Sequence, residues 1–376
     1  MPKKIVHVII GLNVGGAELM LKRLVLHSQK TGKFQHVVIS LTDSGVIGPD
    51  LENQGIKVYS LGMTSTPSVP KTFFKLKKLL KELKPDVVQT WMYHADFLGG
   101  LAAKSVGIDN IIWGIRTTDV SQGASKQTVY LSKVCAKLSY YVPNSIVCAA
   151  HVSKNYHIGI GYDKSKMMVI PNGFDIEALS STKEDGLNIR KEIGLSADDT
   201  VIGSVGRFNL VKNQKLFIDV AANLVKDFPD LKFMLVGRDN NAENTELMSW
   251  ITQHDLADNF KLLGQRDDVP KCLKAMDIFC LHSKTEGFPN VVGEAILADT
   301  TCVAADVGDV GVLLDKESIA LSNNVVGISH AIKNYLSYSK SALIEKADKN
   351  KRNVIDKYSI KNVVNNFHEL YSKDKN

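Results

Sequence analysis

The chain has 376 residues, of which 44% are hydrophobic and 23% charged, a composition typical of a soluble globular protein and unlike that of a disordered one. This length exceeds that of a usual single core, so two domains of roughly 180 residues are expected. No stretch approaches the roughly 20 apolar residues of a membrane helix. The apolar run at residues 5–10 is also too short for a signal peptide.

The charge distribution and the cysteines indicate the compartment and the kinds of partner to expect. Residues 1–190 carry 23 Lys and Arg against 14 Asp and Glu, a net charge of +9, whereas the rest carries 23 against 26. The five cysteines form no Cys-x-x-Cys pair and lie mostly in apolar runs, which favours reduced thiols in the cytosol over disulfides or zinc. The basic half is not accompanied by any nucleic-acid recognition module, so nucleic acid is not expected as a partner.

In chain order, the first half alternates apolar runs with amphipathic stretches, as parallel βαβ units do. A strand at residues 5–10 is followed by a glycine loop ending in Gly15 and Gly16, and then by a helix at 17–30. Open α/β sheets bind ligands at such loops. This loop is neither G-x-G-x-x-G nor a Walker A sequence, so a structural turn and a phosphate or sugar contact remain equally open.

Further strands are predicted in the first half at 36–41, 58–61, 87–90, 111–115 and 168–170. Between two of them, residues 71–84 place Phe73, Leu76, Leu80 and Leu83 at helical spacing among six lysines. A basic amphipathic helix of this kind can bind an anionic membrane surface. An ordinary solvated helix whose apolar stripe faces its own sheet explains the same pattern, and both interpretations stay open.

His94 lies where the chain leaves the strand at 87–90 and enters a helix, among Trp91, Met92 and Tyr93. A histidine at the carboxyl edge of a sheet is well placed to face a ligand. A lone histidine is more often a helix-start residue with a structural partner, so its position alone does not decide its role.

The second half opens a new βα series after turn residues at 171–175 and a polar segment at 176–200 that holds a linker and a short helix. Strands are predicted at 201–205, 232–236, 260–263, 278–281 and 302–305, and a last helix at 359–371. Arg207 follows the first of these strands and Lys212 comes shortly before a helix. Cations in such places can meet a diphosphate, although two solvated surface charges would look the same.

The stretch from Glu286 to Glu294 joins the strand at 278–281 to a helix. Gly287 lets the backbone approach a ligand closely, and Pro289 suits the first helical turn. A helix N-terminus attracts phosphate through its free N–H groups and its dipole. The two carboxylates can accept hydrogen bonds from the hydroxyl groups of a sugar nucleotide, or can serve as a helix-start carboxylate and a solvated loop residue.

Taken together and in order, the motifs resemble those of the retaining glycosyltransferases of family 4, over nearly the whole chain. They are Gly15-Gly16-Ala17-Glu18, Trp91-Met92-Tyr93-His94, Pro171-Asn172-Gly173, Gly206-Arg207 with Lys212-Asn213, Gly264-Gln265-Arg266-Asp267, and Glu286-Gly287-Phe288-Pro289-Asn290 to Glu294. The resemblance implies the GT-B fold, an α/β architecture of two Rossmann-like domains facing each other across a donor-binding cleft. The domains are placed at 1–175 for the acceptor and 176–358 for the nucleotide sugar. A C-terminal helix at 359–376 follows, for which packing back on the first domain is an option.

The resemblance also implies roles for individual residues. Arg207 and Lys212 would hold the donor diphosphate, Glu286 the sugar hydroxyls near the reacting carbon, and His94 would face that carbon across the cleft. Glu294 would bind the ribose hydroxyls. The remaining predicted donor-binding residues are Gly15, Gly16, Arg266, Gly287, Phe288, Pro289, Asn290 and Val291.

The activity implied is transfer, with retention, of a hexose or N-acetylhexosamine from a nucleotide sugar, with UDP as the expected nucleotide. The acceptor would be a glycan or a polyprenyl-linked glycan in surface polysaccharide synthesis, at the inner face of the cytoplasmic membrane or in the cytoplasm. No cofactor and no metal are expected, because the metal-binding Asp-x-Asp sequence does not occur.

Two other functions fit the same fold, a sugar-nucleotide epimerase and a non-catalytic scaffold. The intact order of the motifs argues against the epimerase, and the presence of Arg207, Lys212 and both glutamates argues against the scaffold. One departure bears on donor binding. After Asp309 the family continues with Asn-Ala-Glu, whereas this chain has Val310-Gly311-Val312. The chain therefore lacks the polar side chains that the family would place beside the donor.

Overall fold

The structure is a computed structural model that describes residues 2–119, 125–338 and 340–373. The chain forms two compact units. The N-terminal unit combines residues 1–173 with 360–376, and the C-terminal unit contains residues 174–359. Residues 374–376, the end of the predicted C-terminal segment, lie outside the described part of the chain.

A seven-stranded parallel sheet forms the middle of the N-terminal unit, in the order β3-β2-β1-β4-β5-β6-β7. The strands are β1 (Lys3–Ile9), β2 (Phe34–Ser40), β3 (Lys57–Ser60), β4 (Val87–Trp91), β5 (Ile111–Ile115), β6 (Ser145–Cys148) and β7 (Met167–Val169). The helices of this part are α1 (Gly16–Gln29), α2 (Ile47–Asn53), α3 (Val69–Leu83), α4 (Tyr93–Ser105), α5 (Lys126–Leu138) and α6 (His151–Gly159). The strand order reverses between β1 and β4, so the loops after these two strands share one edge of the sheet.

The C-terminal unit has a five-stranded parallel sheet in the order β10-β9-β8-β11-β12. Its strands are β8 (Val201–Val205), β9 (Lys232–Val236), β10 (Phe260–Gly264), β11 (Ile278–Leu281) and β12 (Thr301–Ala304). Its helices are α7 (Lys183–Glu192), α8 (Gln214–Leu224), α9 (Thr245–Gln253), α10 (Val269–Lys274), α11 (Asn290–Leu297), α12 (Val325–Ser337) and α13 (Lys340–Tyr358). Here the order reverses between β8 and β11, which brings the loops after these strands together.

Both sheets are buried on two faces, as parallel sheets must be. Valines and isoleucines of β1, β4 and β5 belong to two separate hydrophobic clusters on opposite sides of the first sheet. The last helix, α14 (Ile360–Ser372), packs against α1 and supplies Val363, Phe367 and Tyr371 to one of these clusters. The C-terminal segment therefore belongs to the core of the N-terminal unit.

Most predicted strands are confirmed, several with the same bounds, including those at 111–115, 201–205, 232–236 and 278–281. Strand β6 was missed, because the apolar run of Ser145–Cys148 continues through Ala149 and Ala150 up to α6 and does not distinguish a strand from the start of a helix. The prediction of Pro289 inside the first helical turn was wrong by one position, since α11 begins at Asn290 and Pro289 is its N-cap residue.

The apolar stripe of α3 packs on its own unit. Leu76 and Leu80 are buried, and Phe73 and Leu83 are partly buried against the same hydrophobic cluster. Phe74 points away and is 67% exposed, on a helix whose Lys71, Lys78 and Lys81 are also exposed. Among the described residues, no helix combines the length and the apolar character that crossing a bilayer requires.

Candidate active site

The loops after β8 and β11 meet at the point where the second sheet reverses its strand order. Ser204, near the end of β8, and His282, just after β11, are both buried and share a hydrogen bond of 2.8 Å between Oγ and Nε2. The His282 ring stacks on Phe217 of α8 with its centroid at 4.9 Å, and burial lowers its pKa to about 4. His282 is therefore neutral near pH 7 and serves to join two strands and a helix beneath the loops.

Lys212 and Glu286 form an ion pair across these loops. The Lys212 Nζ donates to the Glu286 Oε1 at 2.6 Å, and the two side chains are 26% and 13% exposed. The Lys212 stem lies over Gly206, where an added Cβ would be 3.4 Å from the lysine Cδ. The backbone N–H of Lys212 is fixed by the side chain of Asn209 at 2.8 Å. The sequence places these two predicted site residues 74 positions apart, and the fold brings them into contact.

Arg207 is the second cation of this edge. Its side chain is exposed and forms no ion pair within the described residues. Its backbone is held firmly, since the amide of Gln214 donates to the Arg207 carbonyl at 2.9 Å. Asn240, fully buried, donates to the carbonyl of Gly206 at 2.6 Å. Arg207 therefore offers a free guanidinium on a fixed backbone.

The Glu286 loop enters α11 with its geometry set by close packing. Gly308 has φ +60°, and an added Cβ would lie 2.4 Å from the carbonyl oxygen of Gly287. The N–H of Asp309 donates to the same carbonyl at 2.8 Å. On the other side Gly293 accommodates the Phe174 ring, because a Cβ there would come within 2.1 Å of it. The first turn of α11 is thereby held at the carboxyl edge of the sheet, where the positive end of the helix dipole attracts an anion. The N–H groups of Asn290 and Val292 donate to the carbonyls of Phe288 and Pro289, both at 3.0 Å.

Phe288 does not present its side chain to a ligand. The ring is 7% exposed and packs between Phe174 and Tyr358, with centroids 5.9 and 5.4 Å away. Pro289 is buried as well, whereas Asn290, Val291 and Glu294 are partly exposed along α11. Any donor contact from Phe288 would therefore come from its backbone.

Arg266 is engaged elsewhere. Its guanidinium binds Glu192 of α7, with Nη1 to Oε1 at 2.5 Å, and Asp268 before α10, with Nε to Oδ1 at 2.8 Å. Neither partner is a predicted site residue. In this structure Arg266 ties two helices of the C-terminal unit together, and the structure does not join it to the Lys212–Glu286 pair.

The departure at 310–312 alters the core more than the surface. Val310 is fully buried at the start of a short 3₁₀ helix, and Val312 is partly buried with its carbonyl accepting from the Asn353 amide at 3.2 Å. An apolar residue at 310 is therefore explained by packing. No carboxylate stands at 312, where the family has one.

In the N-terminal unit, the glycine loop leads into α1 with Gly15 as the N-cap residue. An added Cβ on Gly15 would lie 2.4 Å from a carboxylate oxygen of Glu18, whereas a Cβ on Gly16 would meet nothing within 4 Å. Burial raises the pKa of Glu18. A side chain at residue 15 would therefore displace the Glu18 carboxylate, and Gly16 leaves open space at the helix start.

His94 is the second residue of α4 and is partly buried. Burial lowers the pKa of its imidazole, so the neutral form predominates near pH 7. Met92, the N-cap residue, has φ +71° and ψ 160°, a conformation that is costly for a residue with a side chain. The N–H of Met92 donates to the Gly114 carbonyl at 2.8 Å, and Asp96 donates its N–H to the Met92 carbonyl at 2.9 Å.

The buried carboxyl of Asp96 strengthens this arrangement. It accepts the Thr90 hydroxyl at 2.5 Å, and burial raises its pKa well above the usual value. Sequence reasoning missed the positioning residues Asp96, Asn209, Asn240, His282 and Gly308. Only Gly308 and the Asn240 that follows Gly237-Arg238-Asp239 carried a local turn signal.

Within the described residues, no group of three or more His, Cys, Asp or Glu side chains is placed to hold a metal ion.

Comparison with known proteins agrees with this description. The profile of Glycosyltransferase Family 4 matches residues 14–178, and the profile of Glycosyl transferases group 1 matches residues 186–362. The UDP-Gal:α-D-GlcNAc-diphosphoundecaprenol α-1,3-galactosyltransferase of Escherichia coli is 27% identical over 308 residues, or 81% of this chain and 77% of that one.

Two further similarities are informative. The N,N'-diacetylbacillosaminyl-diphospho-undecaprenol α-1,3-N-acetylgalactosaminyltransferase of Campylobacter jejuni is 28% identical, covering 68% of this chain and 69% of that one. The crystal structure of HepE from Anabaena in complex with UDP superposes with a TM-score of 0.86 at 21% identity, covering 98% of this chain and 99% of that one.

The two parallel α/β units and these matches define a glycosyltransferase of the GT-B fold. Within that class, the N-terminal part of the chain matches the Glycosyltransferase Family 4 profile and the C-terminal part the Glycosyl transferases group 1 profile.

Proposed function

We propose that this glycosyltransferase moves a hexose or N-acetylhexosamine from a UDP-sugar to a lipid-linked glycan, with retention of configuration and without a metal ion, in surface polysaccharide synthesis. The observation that carries this proposal is the Lys212–Glu286 pair of 2.6 Å at the edge where a helix N-terminus begins. Such an edge combines a cation, a carboxylate that can accept hydroxyl groups, and the positive end of a helix dipole. The two named relatives, which act on diphospho-undecaprenol-linked sugars, support the acceptor class.

The cations would stabilise the leaving group. As the bond from the sugar to the diphosphate breaks, negative charge grows on the diphosphate. Lys212 is already held over Gly206 by Glu286, and Arg207 stands on a fixed backbone. Charges placed before the reaction need no reorganisation during it, which is the usual largest contribution to catalysis. The N-terminus of α11 adds its dipole.

Retention would follow if the acceptor hydroxyl attacked the face from which the diphosphate leaves. A new bond from the sugar carbon to the acceptor oxygen then forms as the carbon–diphosphate oxygen bond breaks, and the acceptor proton passes to the departing diphosphate. Glu286 would accept sugar hydroxyls beside that carbon, and Glu294 the ribose hydroxyls. His94, neutral near pH 7, would exchange hydrogen bonds with the sugar without adding a charge.

A thermal-shift panel with UDP, GDP and ADP, without metal, tests the donor. A ligand at 100 times its Kd stabilises the folded protein by about 2.7 kcal/mol, which corresponds to a shift of a few degrees. We expect a shift with UDP that is strongly reduced in Lys212→Met. If no nucleotide produced a shift, the donor proposal would fail.

We also propose that α3 binds an anionic membrane surface. This proposal rests on the exposed lysines of α3 and on the net charge of +9 in residues 1–190. Each basic residue near an anionic surface contributes about 1 kcal/mol. Changing Lys71, Lys78 and Lys81 to glutamine should therefore weaken binding to anionic vesicles by roughly 10². The matched control changes three exposed lysines of the C-terminal unit, Lys183, Lys191 and Lys226. Equal binding by both triple variants would show that α3 is not the membrane contact.

A further inference from the structure

A cavity of about 490 Å³ lies in the N-terminal unit beside His94. It is bounded by the start of α3, by α4 and by the start of α5, and its size falls in the range of about 300–1,000 Å³ usual for small-molecule sites. His94 shares its wall with six apolar or aromatic residues, which are Met63, Val69, Phe97, Leu98, Tyr130 and Leu131.

The chemistry of this wall suits an aliphatic chain better than a sugar. A sugar ring needs hydrogen-bonding side chains on several sides, whereas most of the named wall is apolar. Besides His94, the polar residues of the wall are Thr66 and, from the first turn of α5, Lys126 and Gln127. Lys126 is exposed and forms no ion pair within the described part of the chain. Tyr130, one turn further along α5, is 71% exposed.

We propose that this cavity binds the first isoprenoid units of a polyprenyl-diphosphate acceptor, with Lys126 facing the diphosphate. The inference rests on the proposed function, since it names the acceptor of that reaction. An apolar wall next to a free cation is complementary to a ligand that changes from hydrocarbon to diphosphate. The exposed Tyr130 ring provides further apolar surface where the chain continues outwards.

The shared wall sets the length of the acceptor. Because His94 is the proposed contact of the reacting sugar, the lipid and the reacting hydroxyl are separated by little more than the diphosphate and a short glycan. A long glycan would place its growing end away from the lipid. The enzyme therefore acts early in assembly, and its acceptor is supplied by a reaction that transfers a sugar phosphate to a polyprenyl phosphate.

Farnesyl diphosphate is the probe, with inorganic diphosphate as its lipid-free counterpart, and binding is measured by calorimetry on the full chain. We expect farnesyl diphosphate to bind about tenfold more tightly than diphosphate, or about 1.4 kcal/mol. Gln127→Trp, which fills the cavity from an exposed position, and Tyr130→Ala should each remove most of that preference. Tyr141→Ala is the matched control, because Tyr141 is 77% exposed on the same unit and does not line the cavity.

Several results would overturn the proposal. One is equal affinity for farnesyl diphosphate and diphosphate in the unmodified protein. Others are unchanged affinity in Gln127→Trp, or equal losses in Tyr130→Ala and Tyr141→Ala. Displacement of the probe by phosphatidylcholine–phosphatidylglycerol vesicles would assign the cavity to membrane lipid instead. UDP binding is measured on the same samples, so failure of the donor proposal is seen separately from failure at this cavity.

Discussion

Replacing Lys212 with methionine is expected to lower kcat/KM by about 10² to 10³ while leaving the protein folded. Methionine keeps an apolar stem over Gly206 and removes the ammonium that lies 2.6 Å from Glu286. The loss corresponds to about 2.7–4 kcal/mol of transition-state stabilisation, the effect of removing one preorganised electrostatic contact.

The structure also sets the expected cost to stability. Exposed ion pairs contribute about 0.2–1 kcal/mol, and breaking a buried pair costs about 3–5 kcal/mol. Lys212 and Glu286 are 26% and 13% exposed, so the pair lies between these limits and roughly 1–3 kcal/mol is expected. A loss of that size lowers Tm by several degrees without populating the unfolded state at assay temperature.

The assay follows release of UDP from a UDP-sugar in the presence of a lipid-linked acceptor, with Tm measured on the same samples. Lys215→Met is the matched control, because Lys215 stands on α8 and pairs with Asp219 at 3.0 Å on the surface. It should keep activity near that of the unmodified enzyme. If Lys212→Met stayed within about threefold of the unmodified kcat/KM, less than 1 kcal/mol, Lys212 would not be a diphosphate contact.

Three other outcomes are expected. Gly308→Ala should lower kcat by about 10², because a Cβ 2.4 Å from the Gly287 carbonyl must move the Glu286 loop. The control is Gly311→Ala, whose added Cβ would lie 3.8 Å from its nearest neighbour and should leave kcat unchanged. Similar kinetics for both variants would contradict this reasoning. Buried His36 has its pKa lowered to about 3, chiefly by burial, below the unfolded value of about 6.5. The stability it contributes is therefore present above pH 6.5 and is lost as pH falls towards 3, by about 2 kcal/mol at pH 5. Urea unfolding at pH 7.5 and 5 measures this, and His36→Gln should reduce the difference. Finally, EDTA should leave sugar transfer unchanged, and restoration of an EDTA-inhibited rate by Mg²⁺ or Mn²⁺ would refute the metal-free proposal.

The fold was predictable because the sequence repeats the same pattern, an apolar strand followed by a polar loop and an amphipathic helix. Each buried parallel strand requires apolar residues on both faces, and runs such as Phe233–Val236 and Ile278–Leu281 stand between polar or glycine residues. The strand Ser145–Cys148 was missed because its apolar run continues through Ala149 and Ala150 to the start of α6. A short apolar run of this kind cannot be told from a buried helix segment by its pattern alone.

The candidate site was predictable only in part. The sequence shows which residue types could bind a donor, but it does not show which side chains they contact in the folded protein. The sequence identified Lys212 and Glu286 separately, but only the strand order β8-β11 places their loops side by side. For Arg266 the sequence predicted a donor contact that the structure does not support. Glu192, 74 positions away, binds its guanidinium.

Two histidines, His282 and His94, differ in how their surroundings engage them. His282 lies at the carboxyl edge of the second sheet, but its Nε2 is bonded to Ser204 and its ring is stacked on Phe217. His94 lies at the corresponding edge of the first sheet, partly exposed, in the wall of a cavity and after a residue with positive φ. Strained backbone persists only where the surrounding contacts enforce it. The hydrogen bonds of Met92 and Asp96 enforce it here, and they fix the first turn of α4, which carries His94, at this edge of the sheet.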